Sequence, residues 1–149
     1  MRSAQADAMS PIRAEHPRPA PSIEYGEFWE SCRRRELRLQ RCTDCATWRH
    51  HPRPRCPSCH GAGFEWTRAS GRGTVASYTI CYPPVLPAFT DKVPYNVVVI
   101  ELAEGPFMVS NLVDCPNEEI RVGMPVEVVF TEIDEELILP QFRLASTPS

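Results

Sequence analysis

Cys42-Thr43-Asp44-Cys45 and, after ten intervening residues, Cys56-Pro57-Ser58-Cys59 decide the first half of the fold. Each Cys-x2-Cys pair grips a metal ion from a tight turn, and two pairs supply four thiolates that close a tetrahedral shell without leaving a position for water. A closed shell is structural. Zinc held in this way contributes about 10–16 kcal/mol in zinc-finger peptides, enough to order a ribbon too small to have a core of its own. The spacing therefore predicts a structural Zn2+ on Cys42, Cys45, Cys56 and Cys59. A single iron or a redox dithiol is the alternative; zinc is preferred because nothing else in the chain points to electron transfer. The reciprocal pairs leave no place for His50, His51 or His60 as ligands, and adjacent histidines in a loop are read as solvated. Cys32, Cys81 and Cys115 lack partner spacing and are read as small packing residues.

Upstream of the first pair, Leu37 and Leu39 alternate with Arg38 and Gln40, a strand that delivers Cys42 to the metal. Before it, Tyr25, Phe28, Trp29 and Cys32 recur at steps of three and four, one apolar face of a helix. Glu24, Glu27 and Glu30 lie toward its start and Arg33, Arg34 and Arg35 toward its end, as the helix dipole favours. The stretch Ala46–Arg55 holds two prolines, two histidines and three arginines, the composition of an exposed loop. Met1–Ser22, rich in Pro, Ala, Arg and Ser, reads as a disordered arm and lacks the apolar run of a secretory signal.

Downstream of Gly61-Ala62-Gly63 the texture changes to short β-branched runs. Strands are expected near Gly73–Tyr82, Tyr95–Leu102, Phe107–Val113, Pro125–Thr131 and Leu137–Leu144. Five such strands with glycines at the bends suggest a small barrel, for which the oligonucleotide/oligosaccharide-binding (OB) fold is the economical solution and an open sandwich the alternative. Pro83–Pro94 carries four prolines and is expected to form a long loop at the barrel mouth. The expected organisation is a disordered arm over 1–22, helix plus zinc ribbon over 23–69, an OB-fold domain over 70–145 and a tail over 146–149.

Charge is uneven. Residues 1–72 hold 13 Arg and 8 acids, and residues 73–149 hold 3 Lys or Arg and 11 acids, so the halves are +5 and −8. A binder of single strands needs a cationic groove interleaved with aromatics on the barrel, and the barrel is the acidic half; nucleic acid is disfavoured as a partner. Every His lies at or before residue 60, and the acids Glu132, Asp134, Glu135 and Glu136 form a solvated turn between two strands, so no acid–base pair or activated nucleophile can be assembled. No apolar run approaches the roughly 20 residues that span a bilayer. Seven cysteines without an export signal point to metal binding in a reducing cytoplasm.

Taken together, these residues resemble a family of small accessory proteins with an N-terminal helix, a rubredoxin-like zinc ribbon and a C-terminal OB fold, associated with acyl-CoA enzymes. The resemblance runs from about Tyr25 to Leu144. It is carried by Phe28-Trp29, Leu37-Arg38-Leu39-Gln40-Arg41-Cys42 with Cys45, Pro54-Arg55-Cys56-Pro57-Ser58-Cys59, Trp66, Ser70-Gly71-Arg72-Gly73-Thr74-Val75, Ser77-Tyr78-Thr79, Pro94-Tyr95, Glu101-Leu102 and Gly123-Met124-Pro125-Val126-Glu127. Ala46 departs from the pattern, since the family usually has glycine after the second cysteine. The resemblance implies a non-catalytic subunit that joins a thiolase-fold enzyme, or an enoyl-CoA hydratase, in a hetero-oligomer and helps it handle acyl-CoA. Settings in the family include thiolysis and steroid side-chain aldol cleavage. On that footing the Arg-rich segment 33–72 suits the phosphates of CoA or an acidic partner face. Arg72 is the expected phosphate contact and Tyr95, with the Pro83–Pro94 loop, the expected contact for pantetheine or acyl chain.

Overall fold

The computed structural model describes residues 15–146. Helix α1, Gly26–Arg33, buries Phe28, Ser31 and Cys32, the face that the three-and-four spacing marks out. It stops where Arg35 turns to a φ of +59° and hydrogen bonds run back from Arg35 N to Cys32 O (2.9 Å) and from Glu36 N to Ser31 O (2.9 Å). Those bonds satisfy carbonyls that a helix end otherwise leaves open.

Three short antiparallel strands, β1 Arg38–Cys42, β2 Trp48–Arg49 and β3 Phe64–Arg68, form the ribbon sheet in the order β2-β1-β3. Five longer ones, β4 Arg72–Cys81, β5 Tyr95–Leu102, β6 Phe107–Ser110, β7 Pro125–Glu132 and β8 Ile138–Leu144, form a curled sheet in the order β6-β5-β4-β7-β8. The sheet closes on itself where Leu112 meets Phe142 in a parallel bridge, with Val113 N to Phe142 O at 2.7 Å and Phe142 N to Asn111 O at 3.0 Å. The structure is thus mainly β, a helix and zinc-ribbon region followed by a barrel of OB type, and the open sandwich is set aside. Strand β6 ends at Ser110, short of Val113, because the chain there turns across to β8.

One core joins the parts. Phe28 and Cys32 from α1, Leu37 and Leu39 from the ribbon, and Val75, Val98, Ile100, Leu102, Met108, Ile120, Val126 and Phe142 from the barrel belong to a single buried cluster. Leu39 and Phe142 are 1% and 0% exposed, so the ribbon is seated on the barrel and not merely tethered to it. The closure is stitched by buried Asn96, whose Nδ2 donates to Leu112 O (2.9 Å) while its Oδ1 accepts from Leu112 N (2.7 Å).

The arm predicted over Met1–Ser22 lies outside the described residues as far as Ala14, and beyond it two side chains touch the rest of the molecule. His16 packs edge-on against Phe89 (5.6 Å) and Arg18 pairs with Asp134. The acidic turn is accordingly more than a solvated bend. It receives Arg18 at Asp134, Arg35 at Glu132 (3.4 Å) and the Arg33 Nε at the Glu136 carbonyl (3.2 Å), so part of the charge asymmetry is satisfied inside the molecule. Arg18, first, and the Glu136 N–H hold the Asp134 carboxyl below its usual range. The Pro83–Pro94 segment is a loop as expected, with a single 3-10 turn at Pro87–Phe89 that sets Phe89 against Tyr95 (5.6 Å).

Candidate metal centre

The four cysteine sulfurs converge at the open end of the ribbon. Cys42 Sγ and Cys59 Sγ are 3.6 Å apart, Cys45 Sγ and Cys56 Sγ are 3.5 Å apart, and all four lie within 4.8 Å of one another. A tetrahedral ion with bonds of about 2.3 Å to sulfur needs sulfur–sulfur edges of about 3.8 Å, so the donor set fits a metal ion without rearrangement. Backbone amides add to the pull. The N–H of Cys59 and, less strongly, of Ser58 favour the Cys56 thiolate and bring its pKa down to about 6. The Gly61 N–H acts the same way on Cys59, but hydrogen bonding between its thiol and Cys45 and Cys42 outweighs it and pushes that thiol up to about 12. Four thiolates this close are stable together only around a cation.

Two matched turns produce this arrangement. Ala46 N bonds to Cys42 O and His60 N to Cys56 O, each at 3.0 Å, and each of these residues has a left-handed φ, +62° and +64°. Gly61 lets the second turn pass the first: a Cβ there would press on Cys59 Sγ (3.3 Å) and on the Asp44 carboxylate.

The connection between the pairs is better anchored than its composition suggests. The composition of Ala46–Arg55 predicts an exposed loop, yet Trp48–Arg49 pair with β1 and Arg49 is 3% exposed. The Arg49 guanidinium donates to Arg53 O (2.7 Å) and Gly63 O (3.0 Å), and buried Gln40 accepts from Arg53 N (2.8 Å). Four residues spaced through the sequence thus fold the loop inward, through partners that no local pattern announces.

One histidine of that loop differs from expectation. None of them joins the thiols and His51 is exposed, but His50 is not solvated. It packs on Phe28 (5.4 Å) and stacks on His51 (4.4 Å), and its Nδ1 is buried without a hydrogen-bond partner among the described residues. Burial first, and the neighbouring His51 second, drive its pKa down to about 4, so it is neutral at pH 7. Tyr25, Phe28, Trp29, His50, Ser110 and Pro140 line a cleft of about 210 Å³ where helix, ribbon and barrel meet. The helical stripe gave the first three of these residues; the rest come together only through the fold.

Arg72 and Tyr95 sit at opposite ends of one strand pair. Arg72 opens β4 and is exposed, whereas Tyr95 faces Cys81, the last residue of β4. At about 3.3 Å per residue the eight steps from Tyr95 to Ala103, which bonds to Arg72, place their backbones at most roughly 26 Å apart, along the outer surface of the barrel. They do not share a pocket.

Comparison with known proteins follows the same division of the chain. Residues 29–65 match the model of the ChsH2 rubredoxin-like zinc ribbon domain and residues 66–131 that of the ChsH2 C-terminal OB-fold domain. A solved chain of the "Ltp2-ChsH2(DUF35) aldolase" superposes with a TM-score of 0.80 at 41% identity, covering 87% of this chain and 100% of that one. The chain belongs to the ChsH2 (DUF35) family. Two further members are a "Probable enoyl-CoA hydratase alpha subunit" of Thermomonospora curvata, 41% identical over 133 residues, and a "3-oxo-4,17-pregnadiene-20-carboxyl-CoA hydratase alpha subunit" of Mycobacterium tuberculosis, 31% identical over 118 residues. They cover 89% and 79% of this chain, but the chain spans only 41% and 37% of their lengths. What the ChsH2 family shares with this chain is therefore the ribbon and the barrel.

Proposed function

We propose that the chain is a non-catalytic accessory subunit that docks on a thiolase-superfamily enzyme, a thiolase or an aldolase, in a hetero-oligomer of the cytoplasm. There it supports the stability of that enzyme and its binding of acyl-CoA, in steroid side-chain or fatty-acyl-CoA degradation. The observation that carries the reading is the likeness, over the whole of the matched chain, to a component of a protein described as an aldolase. The chemistry of the ribbon supports it. Cys42, Cys45, Cys56 and Cys59 would hold a Zn2+ whose four positions are all taken by sulfur. Such an ion supplies rigidity. It would fix the ribbon, which shares its core with α1 and the barrel, so that these three parts present one stiff surface to a partner.

In this picture acyl-CoA lies at the interface, along the outer face of β4. Arg72 meets phosphate at one end and Tyr95 meets the pantetheine or acyl group at the other, a separation that suits an extended thioester and not a compact ligand. Tagged chain isolated from native cells tests the proposal: an acyl-CoA enzyme of the thiolase superfamily should accompany it, and its absence from the isolate would count against docking.

A second reading is favoured by the hydratase alpha subunits among the relatives. The same surface would then serve an enoyl-CoA hydratase, and the identity of the accompanying enzyme separates the two.

A further inference from the structure

Strand β4 outruns its neighbour. β7 pairs with it only over Arg72–Thr74, and Val75 ends that side of the ladder through bonds with Met124 O (3.0 Å) and Gly123 N (2.7 Å). A bulge follows at Ala76, and from Ser77 to Cys81 the strand continues beside β5 alone. Among the described residues nothing hydrogen-bonds to the other backbone edge of this stretch. Its direction can be followed through the register. Arg72 O is bonded to Ala103 N, on the β5 side, and Val75 faces β7; the extra residue of the bulge then resets the alternation. Ser77, Thr79 and Cys81 consequently face β5, while the N–H and C=O of Tyr78 and Ile80 point outward.

Exposed strand edges are ordinarily blunted by charge, proline or a covering loop. Here Ser77, Tyr78 and Thr79 are all exposed, although they lie mid-strand. The eighteen residues from Gly73 to Thr90 contain no Asp, Glu, Lys, Arg or His, in a half of the chain whose net charge is −8. The strand runs straight into exposed apolar side chains, Tyr82 at 66% and Leu86 at 63%. An open, uncharged, β-prone edge that continues into an apolar surface is a template for adding a strand.

We infer that the outer edge of β4 at Tyr78 and Ile80 receives an extended, uncharged segment of the acyl-CoA enzyme, which joins the sheet as an additional strand. The inference rests on the accessory-subunit reading above. A neutral segment matches the neutral edge, whereas a second copy of this chain would bring two barrel halves of charge −8 side by side. The added strand would run along the border of the outer face that carries Arg72 and Tyr95, and so wall the acyl-CoA path.

Amide hydrogen exchange in the free chain and in the purified complex tests this. The Tyr78 and Ile80 amides should exchange at least about tenfold more slowly in the complex, while the Ser77 and Thr79 amides, already bonded to β5, change little. Tyr78→Pro, which removes an outward N–H and leaves the β5 ladder intact, should weaken the complex about tenfold more than Tyr78→Ala. Should the proline variant fail to fold, the double variant Ser77→Lys with Thr79→Lys places charge on the same edge and should weaken the complex likewise. A complex in which both amides exchange as in the free chain, and which these variants do not weaken, would overturn the edge assignment and leave the accessory role standing. A chain that forms no complex with any acyl-CoA enzyme would overturn both. Self-association abolished by Tyr78→Pro would give the edge to a second copy and overturn the inference as stated.

Discussion

Ala46 and His60 are counterparts: each follows the second cysteine of its pair, each donates its N–H to the first cysteine's carbonyl at 3.0 Å, and each adopts a left-handed φ, +62° and +64°. Residues other than glycine pay about 1–2 kcal/mol for that conformation, because Cβ approaches the following carbonyl oxygen. Glycine at either position would remove the strain, which this chain keeps at both turns.

Ala46→Gly should therefore stabilise the protein. Relief of strain is partly offset by the greater freedom of glycine in the unfolded chain, so the net gain should be about 1 kcal/mol or less. Thermal melts with the metal in place check it: the midpoint should rise with unchanged metal stoichiometry, whereas Ala46→Val should lower it.

Cys45→Ser leaves three sulfurs in the shell. Metal affinity should fall steeply, with a loss of several of the about 10–16 kcal/mol that such a site provides, and partner binding should weaken with it. Elemental analysis and melts read both effects, and a chelator should reproduce them in the unaltered chain. Full zinc occupancy in the variant would show that the fourth thiolate is dispensable.

His50 sets a pH dependence. Its pKa is about 6.5 in an unfolded chain and is depressed to about 4 in the fold, by burial first, so between those values the unfolded state binds the additional proton. The contribution is fully present above pH 6.5 and is lost as pH falls toward 4, amounting at most to about 3 kcal/mol. Acid also protonates the thiolates, so the informative quantity is the difference between this chain and His50→Phe. The variant's stability should decline less between pH 6.5 and 4, and parallel curves would contradict the burial argument.

Arg72 and Tyr95 should be separable by ligand. If they meet opposite ends of one acyl-CoA, Arg72→Glu in the complex weakens binding of free CoA and of acyl-CoA alike, by about tenfold for one lost charge-assisted contact. Tyr95→Ala should weaken acyl-CoA more than free CoA. Calorimetric titration distinguishes them, and equal effects of both variants on both ligands would place the residues elsewhere on the ligand.

Much of this arrangement was legible in the sequence because it is local. The Cys-x2-Cys pairs, the aromatic stripe of α1 and the β-branched runs each depend on neighbours a few residues away, and strands β4, β5, β7 and β8 lie within a residue or so of their expected bounds. What could not be read depends on distant partners. Arg49 is buried because the carbonyls of Arg53 and Gly63 meet its guanidinium, and the acidic turn looks solvated until Arg18, Arg33 and Arg35 are brought to it. His50 sits against Phe28 only once the ribbon is seated on the helix. The same holds for Arg72 and Tyr95, whose placement at opposite ends of the β4–β5 pair follows from strand register and not from any motif.

The most direct test of an accessory role is to assay the acyl-CoA enzyme that accompanies the chain, with and without an equimolar amount of it, alongside the chain alone. The enzyme should bind acyl-CoA more tightly and melt at a higher temperature when the chain is present, and the chain alone should turn over no substrate. Turnover by the isolated chain, or an enzyme indifferent to its presence, would contradict the account.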